Sequence, residues 1–392
     1  MIKIISTEKL PIKLWLDDIE AGALKQAKNI ANFPYAHQHI AVMPDAHQGY
    51  GMPIGGVLAT KNVIIPNAVG VDIGCGICAV KTNITRFTKE QLQSVITKTR
   101  KLIPLGMNRH KKAQNKDLMP DLPLGSITKR EYSNALKQLG TLGGGNHFIE
   151  FQRDSDGFIW LMIHSGSRNL GHTVATHYNR LAIKKNKKKS DSIPKNWQLA
   201  YFKMSSSSGK EYLKEMQYCV EFAFANRKLM MTRVMQVMSE CLHGSPRALS
   251  HNDFGKMINI AHNYASHEKH FGQRVYVHRK GATSAKKDEV GIIPGSQGTC
   301  SYIVKGKGSN DSFTSCSHGA GRVMSRSRAR KILNLKTEKQ KLDKLGIIHA
   351  IRRAKDLDEA SSAYKNIDSV MKNQKDLVEI NQQLTPLAVI KG

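Results

Sequence analysis

The chain has 392 residues, a formal net charge of +29 and six cysteines at irregular spacing. That length can bury a large core, the cysteines do not form a disulfide framework, no apolar run approaches the ~20 residues of a membrane span, and the first residues lack a signal-peptide stretch. An excess of positive charge this large attracts polyanions, nucleic acid first, and the aromatic content of 6% favours basic patches that track a backbone over base-stacking platforms.

Leu16, Ile19, Leu24, Ala27 and Ile30 recur at near-helical spacing and predict a helix over 13–32, closed by Pro34. Residues 39–43 read as a short strand. It leads into Met43-Pro44-Asp45-Ala46-His47-Gln48-Gly49-Tyr50-Gly51, which is either a turn cluster or the wall of an active site. A second strand starts at Gly55. The apolar stretch 62–71 reads as a buried strand ending at Val71-Asp72-Ile73-Gly74-Cys75-Gly76. There a carboxylate and a thiol stand three residues apart, in a turn that its glycines make tight, and the pair suits a divalent transition metal. The same pattern also occurs in ordinary turns. Cys78 makes a C-x-x-C with Cys75, but no second such pair exists to build a zinc ribbon, and no helix opens directly at it as thioredoxin chemistry requires.

Helices are predicted over 85–105 and 132–139, with a basic surface loop over 107–124 between them. The segment Leu142 to Glu150 places three glycines before Asn146-His147, so the backbone can approach a phosphate or metal closely; the Lys-Ser/Thr pair of a Walker loop is missing. A strand over 158–163 delivers His164, followed by a small-residue loop to Asn169. A histidine so placed is a ligand or a buried, hydrogen-bonded residue. The run Lys184 to Lys189 is a solvated face or an arm touching RNA. A long helix over 211–240 carries methionines and aromatics as core. His262 follows an apolar stretch as His164 does. Strands are predicted over 275–283, 291–299 and 301–305, the first running into a basic loop and the second into a glycine loop. Ser315 to Arg322 lead into a basic helix over 323–333, an arrangement that suits an anion. The tail from Lys339 reads as helical and ends in a docked apolar terminus.

Together the segments VDIGCG, GGGNHFIE, IHSGSRNLG, AHNYASHE, VHRKGAT, IIPGSQGT, SCSHGAGR and AYK resemble the RtcB family of GTP-dependent RNA ligases, almost end to end from Met43-Pro44-Asp45 to Lys391-Gly392. The resemblance implies an α+β fold: one large domain over 1–392 with mixed sheets around a central metal cleft, a basic segment near 184–195, and a helical segment over 323–392 closing the guanylate pocket. It implies one or two Mn2+ ions, with Cys75 bridging, Asp72 and His147 completing one metal, and His164 and His262 the other. His318 becomes the nucleophile that carries GMP from GTP. Glu150 would read the guanine N1 and N2 donors. Asn146 and Gly319, Ala320, Gly321 and Arg322 would hold phosphate and ribose, joined by His262 and Asn263. Lys391, Tyr364 and Ser296 would close the guanine pocket. Arg168, Arg279 and Lys280 become candidates for RNA phosphate contacts. His47 and Gln48 receive no role, and the 184–189 run looks like a local addition.

The implied activity joins RNA 3′-phosphate or 2′,3′-cyclic phosphate ends to 5′-hydroxyl ends, in tRNA splicing or RNA repair. A cytoplasmic monomer is expected, with an archease-type activator as a further partner. The competing readings are a manganese-dependent capping enzyme or phosphoesterase that does not seal, and a basic RNA-binding protein without catalysis.

Overall fold

The computed structural model describes residues 1–187, 193–243 and 255–392. The first sheet has the order β1 (Lys3–Ile5), β2 (Ile12–Leu14), β3 (Ala36–Tyr50), β4 (Met52–Thr60), β12 (Gln273–Lys280) and β11 (Asn263–His270). The second runs β10 (Ile258–Ala261), β6 (Gly76–Lys81), β8 (Ile159–Ser165), β7 (Phe148–Arg153), β17 (Val378–Lys391), β15 (Ser301–Gly306) and β14 (Val290–Ile293). Two small sheets pair β13 (Ala282–Ser284) with β16 (Ser315–Ser317), and β5 (Val63–Ile64) with β9 (Phe202–Lys203). The β2–β3 pair is parallel, so the first sheet is mixed. The helices are α1 (Ala21–Ala31), α2 (Pro66–Val69), α3 (Lys89–Leu102), α4 (Ser126–Gln138), α5 (Arg168–Asn186), α6 (Ser207–His243), α7 (Arg326–Ile332), α8 (Leu335–Lys344) and α9 (Ile367–Asn373). This is the α+β architecture expected. No described helix is long and apolar enough to cross a membrane.

The second sheet is buried on both faces. Its period of two sorts the side chains. Ile149, Phe151, Leu161 and Ile163 join Val95, Met230 and Val234 of α3 and α6 in one core. Phe148, Trp160, Met162 and Val389 face the other way, against Ile292 and Ile303. By the same alternation Glu150, His164 and Lys391 share the face of Phe148 and Met162. Three helices meet at Glu215 of α6, which caps α4 by accepting from the backbone N–H of Ile127 (2.9 Å) and Thr128 (2.8 Å) and from the Tyr178 hydroxyl of α5 (3.2 Å).

Several expectations are corrected. The helix predicted over 13–32 begins only at Ala21, because Ile12–Leu14 pair with β1 and β3, and that pairing overrides the helical spacing. The stretch 62–71 is two residues of strand and then one helical turn, since Pro66 sits at the first turn of α2, where its missing N–H costs nothing. The Met43–Gly51 segment is mostly strand: β3 continues to Tyr50, with register shifts on either side of His47. The helix predicted over 323–333 starts only at Arg326, capped by Ser325, so no helix N-terminus points from the 315–322 segment. The tail is not helical throughout, because residues 378–391 form β17 between β7 and β15. Of the 184–189 run, Lys188 and Lys189 lie outside the described residues.

Candidate active site

Antiparallel pairing brings four strand ends to one edge of the second sheet. β6 begins at Gly76, β7 begins at Phe148, β8 ends at Ser165 and β10 ends at Ala261, with Gly76 opposite both Ser165 and Ala261 and Phe148 opposite His164. Cys75, His147, His164 and His262 are thereby neighbours. Cys75 Sγ lies 3.3 Å from Nε2 of His147 and 3.3 Å from Nε2 of His164. His147 Nε2 is 3.1 Å from Asp72 Oδ2. The His262 N–H donates to the Cys75 carbonyl at 2.8 Å, and its ring centre is 5.1 Å from that of His164. Gly76 is required here, since a Cβ would overlap the Ile260 carbonyl.

The electrostatics follow from burial. It lowers the His164 and His262 imidazoles well below their ordinary value, with neighbouring imidazoles adding to the effect. It raises the Cys75 thiol well above its ordinary value, with the Asp72 carboxylate adding. Burial opposes ionisation of Asp72, but the hydrogen bond and charge of His147 hold its carboxyl below the usual range. The Cys75, His147 and His164 donor atoms lie within 4.8 Å of one another, and buried Nδ1 atoms of His147 and His262 lack a protein partner. Thiolate, imidazole and carboxylate converging in this way fit a transition-metal ion.

α6 braces this cluster from behind. Asn226 accepts from Gly140 N–H (2.7 Å) and Thr141 N–H (3.1 Å) and donates to Gly166 O (3.1 Å). Arg227 is fully buried and donates to Gly74 O (3.0 Å), Ser165 O (2.8 Å) and Asn259 Oδ1 (2.7 Å). Two adjacent residues thus hold the three segments that carry Cys75, His147 and His164. Asn263 has a bracing role as well, donating to Asp72 O at 3.1 Å and accepting from Gly281 N–H at 2.8 Å.

His318 follows β16, on the other side of the cleft, with its ring centre 4.7 Å from that of His262. Its Nδ1 lies 2.6 Å from Asp45 Oδ2, and the same oxygen accepts from the backbone N–H of His318 (3.0 Å) and Gly319 (3.3 Å). Lys365 Nζ binds the carbonyls on either side of Asp45, those of Pro44 (3.0 Å) and Ala46 (2.8 Å). Gly321 has φ of +73°, and a Cβ there would overlap the Asp45 carbonyl. A carboxylate acceptor puts the proton on Nδ1, which fixes the ring and leaves Nε2 with the lone pair.

A cavity of about 1580 Å³ joins these parts. Every proposed metal and guanylate residue lines it, with Ser296, Tyr364 and Lys391 among them. Glu150 is buried, and burial raises its carboxyl to about 8, against the charge of Lys391 and a hydrogen bond from Gln152. Arg322 is engaged with Glu359 Oε1 (3.2 Å), the Tyr364 hydroxyl (3.2 Å) and Asp358 O (2.6 Å). Glu359 also accepts from Arg326 (2.8 Å) and from Tyr364, and lies 3.8 Å from Lys391 Nζ. Arg326 in turn reaches Asn146 Oδ1 at 3.4 Å.

The three RNA candidates separate. Lys280 lines the cleft, its Nζ bound to Tyr50 O (2.5 Å) and Asn67 O (2.9 Å), and burial lowers its ammonium to about 7. Arg168 ties Thr141 Oγ1 (3.0 Å) to Gly106 O (2.6 Å) outside the cleft lining. Arg279 is corrected: it is 0% exposed, and its donors go to Glu268, Ser266, Ser315 and Phe313 O, so it cannot touch RNA. Asp45, Glu359, Arg326 and the Asn226–Arg227 pair were not anticipated. For Asp45 a signal existed in Met43-Pro44-Asp45, where the resemblance starts.

A histidine with a fixed lone pair beside a cation site is what metal-dependent nucleotidyl transfer requires. The family described as "tRNA-splicing ligase RtcB" matches residues 26–122 and 114–392. The chain is 38% identical over 413 residues to an RNA-splicing ligase RtcB of Escherichia coli K12, covering all of this chain and 99% of that one. It is 32% identical over 464 residues to a tRNA-splicing ligase RtcB of Nanoarchaeum equitans, covering 100% and 95%, and 31% identical over 462 residues to one of Thermococcus kodakarensis, covering 98% and 95%. The chain belongs to the RtcB family.

Proposed function

We propose that the chain is a GTP- and manganese-dependent RNA ligase, joining 3′-phosphate or 2′,3′-cyclic phosphate ends to 5′-hydroxyl ends in tRNA splicing or RNA repair. The observation that carries this reading is the 2.6 Å contact of His318 Nδ1 with Asp45, in one cleft with the thiol–imidazole cluster. Asp72, Cys75, His147, His164 and His262 would hold one or two Mn2+ ions, which supply Lewis-acid stabilisation of phosphate charge when bound. His318 Nε2 attacks the α-phosphorus of GTP; an N–P bond forms as the bond to the bridging oxygen breaks and pyrophosphate leaves. The GMP passes from His318 to an RNA 3′-phosphate. The 5′-hydroxyl of the second RNA then attacks that activated phosphorus, and GMP leaves. A cyclic phosphate is first opened to a 3′-phosphate at the same site. The whole of 1–392 acts as one catalytic unit, a cytoplasmic monomer.

Mixing the protein with Mn2+, GTP and RNA fragments bearing 3′-phosphate and 5′-hydroxyl ends tests this directly. A sealed product is expected. Accumulation of a guanylylated 3′ end without sealing would replace the reading with capping, and release of inorganic phosphate would replace it with hydrolysis. An archease-type protein is the activator to add if turnover stops after one cycle.

Glu150 sets a pH dependence. Its carboxyl is protonated below about 8 and must lose that proton to accept from guanine N1 and N2. GTP binding is expected to tighten as pH rises from about 6.5 to about 8.5, and Glu150→Gln to flatten that profile and narrow the GTP-over-ATP preference. Between the ordinary carboxylate value and about 8 the native state binds the extra proton, so the nucleotide-free fold loses stability as pH rises through that window. Calorimetric titration at several pH values checks both; a Glu150→Gln profile as steep as wild type removes Glu150 from guanine recognition.

A further inference from the structure

A second cavity, of about 490 Å³, lies between α4 and α5. Its wall is a ridge of α5 in which His172, Thr176, Arg180 and Lys184 follow one another at intervals of four residues, so their side chains stack along one face. Thr173 and His177 of α5 and Arg130 of α4, the last paired with Glu131 (3.1 Å), complete its polar lining, and no described carboxylate lines it. The adjoining flank of α5, at Asn179, Ile183 and Asn186, together with the C-cap residue Lys187, lines the catalytic cleft. One helix of roughly 28 Å is therefore a wall of both cavities, and its first residue, Arg168, stands beside the glycine segment that carries His147.

From this arrangement we infer that the α4–α5 groove holds the sugar-phosphate backbone of the RNA, away from the ends being joined. Arg180 and Lys184, exposed and with no carboxylate in the groove lining, suit phosphates, and hydroxyl and imidazole N–H groups bind phosphate or 2′-hydroxyl oxygens. A strand leaving the cleft past Asn179 and Lys187 meets Arg180 and Lys184 on the same helix. The groove reads no bases, so it lends affinity for length and not for sequence. The inference rests on the ligase reading and adds to it a reason for preferring long substrates.

Fluorescence anisotropy with 3′-phosphate RNAs of about 4 and about 20 nucleotides tests it, on wild type, on R180E/K184E, on the neutral pair R180Q/K184Q, and on K336E/K339E of α8 as a charge control. For both α5 variants the long RNA is expected to bind more weakly, by over tenfold for the charge reversal, and its log–log salt slope to fall by about 1.4, or about 0.7 for each lost phosphate contact. Binding of the short RNA and guanylylation of His318 are expected to stay at wild-type levels, which also shows that the variants fold. Unchanged binding of the long RNA overturns the inference. So does an equal loss in the α8 control, which would reduce the effect to overall charge. If wild type binds neither RNA, the ligase reading itself falls, and the groove's assignment with it.

Discussion

His318→Ala is expected to end guanylylation: with Mn2+ and GTP labelled at the α-phosphate, wild type takes up an acid-labile, alkali-stable label, and the variant takes up none above about a thousandth of that rate. The argument is geometric. Asp45 Oδ2 gathers the His318 ring nitrogen and two backbone N–H groups, so the imidazole has one orientation and one tautomer. Among the described histidines lining the cleft, only His318 shares one carboxylate oxygen with two backbone N–H groups. Asp45→Asn separates orientation from presence. An amide keeps the size but loses the second anionic lone pair, and the labelling rate is expected to fall by about 10² to 10⁴ while the histidine remains. Wild-type labelling of His318→Ala would move the nucleophile elsewhere. Wild-type rates for Asp45→Asn would leave Asp45 a purely structural residue.

Arg227→Met is the second large effect. The guanidinium is buried, burial lowers it to about 10, and it remains charged. Met matches its bulk but leaves Gly74 O, Ser165 O and Asn259 Oδ1 without donors. Each unpaired buried acceptor costs about 1 to 3 kcal/mol, so a loss of about 3 to 6 kcal/mol is expected in chemical denaturation. The damage falls on the segments holding Cys75 and His164, and Mn2+ affinity, followed by the free-ion electron paramagnetic resonance signal, is expected to drop more than tenfold. Arg227→Lys keeps the charge, but its single nitrogen cannot span Gly74 O, Ser165 O and Asn259 Oδ1 as the guanidinium fork does, and it should lie between the two. A Mn2+ titration of Arg227→Met that superimposes on wild type would show that the cluster is organised without α6.

The residues proposed as metal ligands were legible because chemistry and periodicity coincide in them. His164 and His262 each end an apolar run, and such a run must stop where a polar ligand faces a cleft. Asp45 was not legible, although its segment was singled out. Its meaning depends on His318, 273 residues away, and on β3 running as a bulged strand through residues that favour turns. Arg279 and Lys280 were both read as candidates for RNA phosphate contacts, yet adjacent strand residues point to opposite faces. Arg279 falls on the face of Val275 and Val277, in the core, and Lys280 on the face of the cleft. Counting by two along β12 would have divided them. The tail misled for a related reason. Val378, Leu384, Pro386 and Ala388 to Ile390 are buried while Glu379 to Asn381 are exposed, an irregular strand pattern whose neighbours were not visible in the sequence.

β17 also governs the order in which the protein can be completed on the ribosome. It lies between β7 and β15, so the hydrogen-bonded ladder runs from the group formed by β10, β6, β8 and β7 to the pair β15–β14 through residues 378–391. Until those residues emerge, β7 keeps an unpaired edge, with Ile149 and Phe151 beside it, open to any other strand in reach. Pairing of such long sequence separation is slow, and a nascent chain must hold that edge exposed for the synthesis of more than half its length. A chaperone that shields β7 during this interval is expected to raise the yield of active enzyme more than one acting on the finished fold.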